Sequence, residues 1–165
     1  MDEKAKTPKK KTLIIGAAGV LVVAVILILV FRGTSSPTQI VRDLPEETLR
    51  VRTAAGDTRE LTVKDASLFE GKQSGFTGVD PEVVESTVLF VATQFSATSE
   101  ITVSDIEASI DIAFFTDTGE FMEIRRFPAG VESRYRPDGR YKYILEARAG
   151  FLAEFGIGPG SSLEL

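Results

Sequence analysis

The side chains that could do chemistry in this chain are carboxylates, arginines and lysines, because the sequence contains no Cys, no His and no Trp. This composition excludes disulfides, thiolate and imidazole metal ligands, cysteine nucleophiles and every catalytic triad that needs a histidine base. We therefore expect no catalytic residue, no cofactor and no metal ligand, and we interpret the protein as a non-enzyme. Binding chemistry remains, and it points first to a basic segment in the second half of the chain.

This basic segment runs from Arg125 to Arg148 and carries a net charge of +4, within a region after residue 32 that is otherwise −13. A local excess of positive charge favours an acidic protein surface or anionic lipid headgroups. Tyrosine and arginine are also enriched at protein interfaces. The predicted partner-binding residues are Arg125, Arg126, Arg134, Tyr135, Arg136, Arg140 and Lys142. In the alternative interpretation, these charges only balance the acidic remainder; nucleic acid is not expected, because the domain as a whole is acidic.

Two other groups of residues are weaker candidates. Asp105, Glu107 and Asp111 are predicted to lie on the solvated face of one strand, where oxygen ligands could hold a hard cation. At about 3.3 Å per residue, Asp105 and Asp111 would be roughly 20 Å apart on a continuous strand, so we expect no shared site. The glycine-rich residues 156–160 follow a predicted helix and include no lysine, so they indicate a turn and not a phosphate-binding loop.

The amino-terminal part predicts a membrane anchor. Leu13 to Phe31 is a stretch of 19 residues without a charge, and as a helix it would extend about 29 Å, roughly the hydrocarbon thickness of a bilayer. A cleaved signal peptide is the alternative, but its apolar core is usually shorter. Residues 1–12 contain five lysines, against a lone Arg32 after the apolar stretch. The positive-inside rule then places residues 1–12 in the cytoplasm and the remaining domain outside it.

The rest of the chain predicts a linker and one folded domain. Residues 32–45 have little periodicity and are interpreted as the linker. Residues 46–165 are predicted to form a mainly β (α+β) domain, shaped like a β-barrel or a β-sandwich, with two or three short helices. Alternating apolar and polar residues predict strands over 48–53, 59–64, 100–114, 120–126 and 140–147, with a buried strand over 87–91 and a last strand over 161–165. Short helices are predicted from Asp80-Pro81 and over 148–155.

The order of several short motifs resembles one known family. The motifs are Thr87-Val88-Leu89-Phe90-Val91, Ile110-Asp111-Ile112-Ala113-Phe114 with a turn at Gly119, Tyr143-Ile144-Leu145-Glu146-Ala147, and Phe155-Gly156-Ile157 with Gly160. In this order they are similar to the prokaryotic "domain of unknown function 192" family over roughly residues 61–165. Gly75 would then match the glycine of that family's Arg-Gly-Leu-Met segment. The resemblance implies a compact, mainly β domain with small helices, often exported.

The chain departs from this family at its most recognisable stretch. Where the family has aromatic-Trp-Met-Lys-Asn-Thr and then Pro-Leu-Asp-Ile, this chain has the residues of 101–106 and then Ser109-Ile110-Asp111-Ile112. If that stretch carries the family's activity, the resemblance implies that this member has lost it. The alternatives are a small-ligand binder or weak enzyme that uses Asp111 and Glu146, and a solitary envelope protein that rests on anionic lipid.

The sequence therefore favours a single-pass protein of the cytoplasmic (inner) membrane that works by binding. We expect a non-catalytic accessory or structural subunit of a larger membrane complex, with the domain of residues 46–165 in the periplasm or otherwise outside the cytoplasm. Residues 13–31 would lie in the bilayer, and the basic segment would contact another subunit of that complex.

Overall fold

The alternating residues after Glu46 form the first hairpin of a curled β-sheet. In the computed structural model, which describes residues 35–67 and 75–165, strand β1 (Glu46–Arg52) pairs with strand β2 (Thr58–Asp65) in antiparallel register. Leu49 and Val51 face the core, with Leu61 and Val63 opposite them. The hairpin predicted from the period of two is confirmed.

The remaining strands complete a mainly β domain with three short helices. They are β3 (Leu89–Ala97), β4 (Ile101–Val103), β5 (Ile110–Phe115), β6 (Phe121–Phe127), β7 (Ser133–Tyr135), β8 (Tyr141–Arg148) and β9 (Ser162–Glu164). The helices are α1 (Pro37–Asp43), α2 (Pro81–Ser86) and α3 (Phe151–Phe155).

Seven strands form one sheet in the order β6-β5-β8-β3-β2-β1-β9, and β4 pairs with β7 in a separate two-stranded sheet. All pairings in the large sheet are antiparallel except β2 with β3. Its two ends meet at one bridge, between Glu120 and Ser162. There the N–H of Phe121 donates to the Ser161 carbonyl at 3.0 Å, and the N–H of Leu163 donates to the Gly119 carbonyl at 2.8 Å. The sheet is therefore a half-barrel whose edges touch at one corner.

Apolar side chains pack on both faces of this sheet. The α2-side cluster contains Val83 and Val84 of helix α2 and the alternating Ile110, Ile112 and Phe114 of β5. The α3-side cluster contains Leu152 of α3 and the intervening Ala113 and Phe115 of β5. Strand β5 is consequently buried over its full length. Such two-sided burial places any polar side chain of β5 inside the protein, where it needs a partner.

Helix α1 lies where the sequence predicted an irregular linker. The Ser36 side chain accepts the N–H of Gln39, and Pro37 occupies the first turn, which together are a helix-start signal. Val41 and Leu44 then enter the α2-side cluster. The linker prediction over residues 36–45 is therefore wrong. Burial of these two apolar side chains stabilises a seven-residue helix that would be marginal in isolation.

The long strand predicted over residues 100–114 is divided in the structure. Its first part pairs with β7 as β4, and its last part is β5 in the large sheet. Between them Asp105 takes a left-handed conformation with φ of 50°, which ends any continuous ladder. The helix predicted at Asp80-Pro81 and the turn at Gly119 are confirmed.

The predicted membrane anchor and its cytoplasmic tail, residues 1–31, lie outside the described residues. Within the described ranges, 35–67 and 75–165, no helix is both long and apolar enough to cross a bilayer.

Candidate functional site

Asp111 is a buried carboxylate with three hydrogen bonds. The sequence placed it on a solvated strand face, and that prediction is wrong, because the residue is only 3% exposed. Arg126 of the neighbouring strand β6 donates from Nε to Oδ1 at 2.8 Å and from Nη2 to Oδ2 at 3.0 Å. The N–H of Gly150, just before helix α3, adds a third hydrogen bond at 2.6 Å. Asp111 therefore connects β5, β6 and the start of α3.

The hydrogen bonds on Asp111 determine its charge state. Burial alone raises the pKa of a carboxyl group, but the hydrogen bonds from Arg126 and Gly150 favour the ionised form more strongly, and the net pKa of Asp111 is lowered. Every acceptor oxygen of this carboxylate faces a donor of the protein. The arrangement is that of a structural ion pair, and it presents no free group to a substrate.

Substituting Asp111 by Ala is expected to lower the free energy of unfolding by about 2 kcal/mol, since charge-assisted hydrogen bonds are lost and Gly150 N–H is left without this acceptor. Because the pKa of Asp111 is lowered on folding, its contribution is present above its unfolded pKa and is lost as the pH falls through the folded one. Urea unfolding at neutral and acidic pH measures both effects. Asp117→Ala, on an exposed turn, is the control and should change the stability by less than about 0.5 kcal/mol. An equal loss in both variants would contradict the role of Asp111.

The predicted partner-binding arginines lie mainly along two adjacent strands. We call the group of Arg125, Arg126, Arg134 and Arg136 the basic edge, because β6 is the end strand of the large sheet and β7 lies beside it. All four residues are exposed. The guanidinium of Arg125 lies 5.0 Å from the centre of the Tyr135 ring, a cation–π contact that joins the two strands. The structure thus places Arg125 beside Tyr135, whose neighbours in the chain are Arg134 and Arg136.

Arg140 and Lys142 lie apart from the basic edge, at the start of β8. Arg140 is exposed and donates from Nη2 to the carbonyl of Ser96 at 3.0 Å. Lys142 is half-buried, with Nζ 5.5 Å from the centre of the Tyr143 ring. The neighbouring Phe95 is 75% exposed, the most exposed of the large apolar side chains in the described residues. Sequence reasoning missed Phe95, because its strand alternates weakly.

The tyrosines of this segment pack against other aromatic rings of the domain. Tyr141 is 3% exposed and packs edge-on against Phe114. Tyr135 is half-buried between Phe114 and Phe127, and its hydroxyl donates to Glu123. Tyr143 stacks on Phe90. These rings therefore pack against other aromatic side chains, and partner binding by the half-buried Tyr135 stays a prediction.

A cavity of about 550 Å³ opens over strands β3, β5 and β8. Its walls are mainly aliphatic, from Val91, Ala97, Ile101, Val103, Ile106, Ile112 and Ile144. Glu146 of β8 also lines it, between Ile112 of β5 and Leu89 of β3 in the register of the sheet. Burial raises the pKa of Glu146 to about 7, although a hydrogen bond from the Phe76 backbone partly opposes the shift.

Gly75 packs against the carboxyl group of Glu146, and this close approach explains why position 75 is a glycine. Its φ is +48°, and a Cβ at this position would lie 2.5 Å from Oε2 of Glu146. A side chain at position 75 would therefore displace the carboxylate as well as strain the backbone. Gly75 and Glu146 both carried the family resemblance in sequence, and the structure shows that they are in contact.

The remaining acidic candidates form a cleft without a built metal site. Asp105 and Glu107 are exposed and line a cleft of about 560 Å³ together with Asp80 and Glu132. Asp111 does not take part. Among residues 35–67 and 75–165, no three carboxylates come close enough to hold a metal ion together.

Comparisons with known proteins agree with this architecture. A protein from Sinorhizobium meliloti 1021, described with a proposed role in transcription regulation, is 23% identical with a TM-score of 0.58 over 80% of this chain and 97% of its own. A protein of unknown function from Novosphingobium aromaticivorans DSM 12444 is 18% identical with a TM-score of 0.63, over 81% of this chain and 94% of its own. At these identities the likeness shows the fold alone. No curated protein matches the chain.

A family model covers most of the domain. It matches residues 50–165, from the first hairpin to the last residue of the chain, and its description is "Uncharacterized ACR". The matched range includes Gly75, Asp111 and Glu146, the residues on which the sequence resemblance rested. The chain is a member of the DUF192 family.

Proposed function

We propose that this protein is a non-catalytic, membrane-anchored subunit of a larger membrane complex, and that its domain binds an acidic partner surface through the basic edge. One observation carries the proposal. Within the part of the chain that the structure describes, no carboxylate lies within salt-bridge distance of Arg125, Arg134 or Arg136. Three exposed arginines on neighbouring strands thus leave their charge to solvent or to another molecule.

The position of the basic edge also favours contact through side chains. An unpaired edge strand normally invites another strand to extend the sheet, and charged residues on that edge oppose such pairing. Arg126 stays 61% exposed at its side chain even while it holds Asp111. A partner would therefore meet exposed guanidinium groups, which bind carboxylates in a bidentate geometry.

The membrane part of the proposal rests on the sequence. The uncharged stretch from Leu13 to Phe31 is long enough to span a bilayer, and the lysines before it favour a cytoplasmic amino terminus. Arginines on an exported domain would then be available to the extracytoplasmic surface of a neighbouring subunit.

The test is affinity purification of the full-length protein from detergent-solubilised native membranes. The wild-type protein is expected to bring down partner subunits in a fixed ratio, and the triple variant Arg125→Gln, Arg134→Gln, Arg136→Gln is expected to recover at least tenfold less of them. Raising the salt concentration should have the same effect as the substitutions, because exposed charges are screened beyond about 8 Å at physiological ionic strength.

A matched control uses the other side of the domain. Arg50→Gln, Arg52→Gln, Arg59→Gln removes the same number of arginines from the β1–β2 hairpin and should leave partner recovery unchanged. A wild-type protein that leaves the membrane as a monomer would refute the proposal. Recovery in the soluble fraction without detergent would refute the anchor specifically.

A further inference from the structure

The cavity over β3, β5 and β8 has the properties of a small-molecule site. Its volume of about 550 Å³ lies within the range of about 300 to 1,000 Å³ that is typical of ligand pockets. Its walls are aliphatic, while the exposed Ser99, Glu100 and Thr102 lie at its rim. A cavity with this lining would accept a compact hydrocarbon group and leave a polar end near Glu146.

The carboxyl group of Glu146 lies inside the cavity. It lies on the middle strand β8, between Ile112 and Leu89, and Gly75 covers it from above. The Phe76 backbone N–H supplies one hydrogen bond to the carboxyl group. A carboxylate offers about four acceptor positions, and among the described residues the Phe76 backbone supplies one donor to them.

Within residues 35–67 and 75–165, no salt bridge joins Glu146 to a lysine or an arginine. The described residues that line the cavity include no lysine and no arginine. Arg148, two residues along β8, is held by Glu154 at 2.8 Å and approaches Glu85 at 4.0 Å. A negative charge among aliphatic walls is costly unless a positive charge joins it.

We propose that this cavity binds a small apolar amine in its ammonium form. The nitrogen would donate to the Glu146 carboxylate, and the hydrocarbon part would pack against Val91, Val103 and Ile144. An anionic ligand would be repelled by Glu146, and a neutral hydrocarbon would leave the carboxylate without a counter-charge. No residue of the basic edge lines this cavity, although Arg134 pairs with Thr102 of its rim, and the amine site does not depend on the proposed membrane complex.

Titration calorimetry of the full-length protein in detergent tests the proposal, with n-butylamine, cyclohexylamine and benzylamine as probes. We expect at least one of them to bind at pH 8 with a Kd of millimolar or below. Benzyl alcohol and benzoate, which keep the ring but lack the ammonium group, are expected to bind at least tenfold more weakly than benzylamine.

The pH dependence gives a second, independent readout. Because burial raises the pKa of Glu146 to about 7, this carboxyl is mostly protonated at pH 6 and mostly ionised at pH 8. An aliphatic amine stays charged at both values. The affinity should therefore rise about tenfold between pH 6 and pH 8, in proportion to the ionised fraction of Glu146.

Three substitutions distinguish binding at Glu146 from effects elsewhere in the cavity. Glu146→Gln keeps the shape of the side chain and should weaken amine binding at least tenfold and remove the pH dependence. Glu100→Gln changes an exposed carboxyl at the rim of the same cavity and should alter affinity less than twofold. Ala97→Leu narrows the cavity and leaves Glu146 in place, and it should also weaken binding.

The proposal is overturned if none of the three amines binds at millimolar concentration, or if benzyl alcohol binds as well as benzylamine. It is also overturned if Glu100→Gln weakens binding as much as Glu146→Gln does. If Glu146→Gln does not fold, Ala97→Leu decides the question: undiminished amine affinity in that variant places the binding elsewhere.

Discussion

Replacing Phe114 by Ala is expected to lower the free energy of unfolding by about 4 kcal/mol, which is a large part of the roughly 5 to 15 kcal/mol that stabilises an average domain. Phe114 is 0% exposed in the middle of β5. Its ring lies 5.2 Å from that of Tyr141 and 6.2 Å from that of Tyr135, centre to centre. Removing it would leave a cavity that neighbouring strands, fixed by their ladders, cannot fill.

Urea unfolding followed by tyrosine fluorescence measures this loss in the full-length protein. The chain has three tyrosines, no tryptophan, and all three tyrosines lie in or next to β7 and β8, so the signal reports on the domain alone. Phe95→Ala is the matched control, because Phe95 is 75% exposed, and its stability change should stay within about 0.5 kcal/mol. Similar losses for both substitutions would show that β5 is not the centre of the core.

The burial of β5 illustrates how far the sequence predicts this fold. The alternation of Ile110, Ile112 and Phe114 predicted one apolar face, and these side chains do pack together in the α2-side cluster. Asp111 led to the prediction that the other face of β5 was exposed to solvent, because an aspartate in a strand normally lies on an exposed face. Its actual partner, Arg126, lies 15 residues away, and pairing across strands leaves no local pattern. Local periodicity predicted the strand but not its second buried face.

The segment of helix α1 contains a local helix-start signal, but its overall composition favoured a linker. Residues 32–45 contain many Ser, Thr, Pro and Gln residues, which favoured a linker. Ser36 followed by Pro37 is nevertheless a helix-start pattern, and Val41 and Leu44 supply the apolar face. The Asp80 N–H donates to Thr38 Oγ1 at 2.9 Å and ties α1 to the start of α2. This contact joins residues that are distant in the sequence, so no local pattern predicts it.

The candidate sites were predictable to different degrees for a similar reason. The excess of arginine between residues 125 and 148 was visible in the composition, and exposure on β6 and β7 followed from their place at the end of the sheet. The inward direction of Tyr135 and Tyr141 depended on Phe114, which lies on another strand. The contact between Gly75 and Glu146 joins residues far apart in the chain, and only their shared place in the family resemblance hinted at it.

The segment where the sequence departs from the family resemblance also contributes to the cavity. Residues 101–106 form β4 and the loop after it, and they supply Ile101, Val103 and Ile106 to the cavity wall. Glu146 lines the same cavity, and Gly75 packs against its carboxyl group. The aliphatic wall agrees with the proposed binding of an apolar amine.

Stability should respond to pH through Glu146 in the direction opposite to most carboxyl groups. Its pKa rises from an ordinary value of 4.5 in the unfolded chain to about 7 in the fold, because burial disfavours the charged form, so the folded state holds the proton more tightly. The contribution of this group is therefore greatest below pH 4.5, decreases as the pH rises from 4.5 to 7, and stays lost above that range. A shift of this size corresponds to about 3 kcal/mol.

The Glu146→Gln variant isolates this effect, since a neutral amide of the same shape has no proton to lose. Wild type and variant should have nearly equal free energies of unfolding at pH 5, and the variant should be more stable by about 3 kcal/mol at pH 8.5. The other charged groups near this face, Arg148 with Glu85 and Glu154, and Glu100 at the rim, are unchanged, so they cancel in the difference. Asp111 lies on the α3 side of the sheet and cancels likewise.

Urea unfolding of both proteins at the two pH values decides the matter, with Glu100→Gln as the control whose difference from wild type should not change with pH. A Glu146→Gln variant that is equally destabilised at pH 5 and pH 8.5 would mean that Glu146 is ionised and satisfied throughout, as Asp111 is. A variant that is more stable than wild type only at pH 8.5 would instead show that ionised Glu146 lowers the free energy of unfolding. Binding of a cationic ligand at Glu146 would offset this destabilisation.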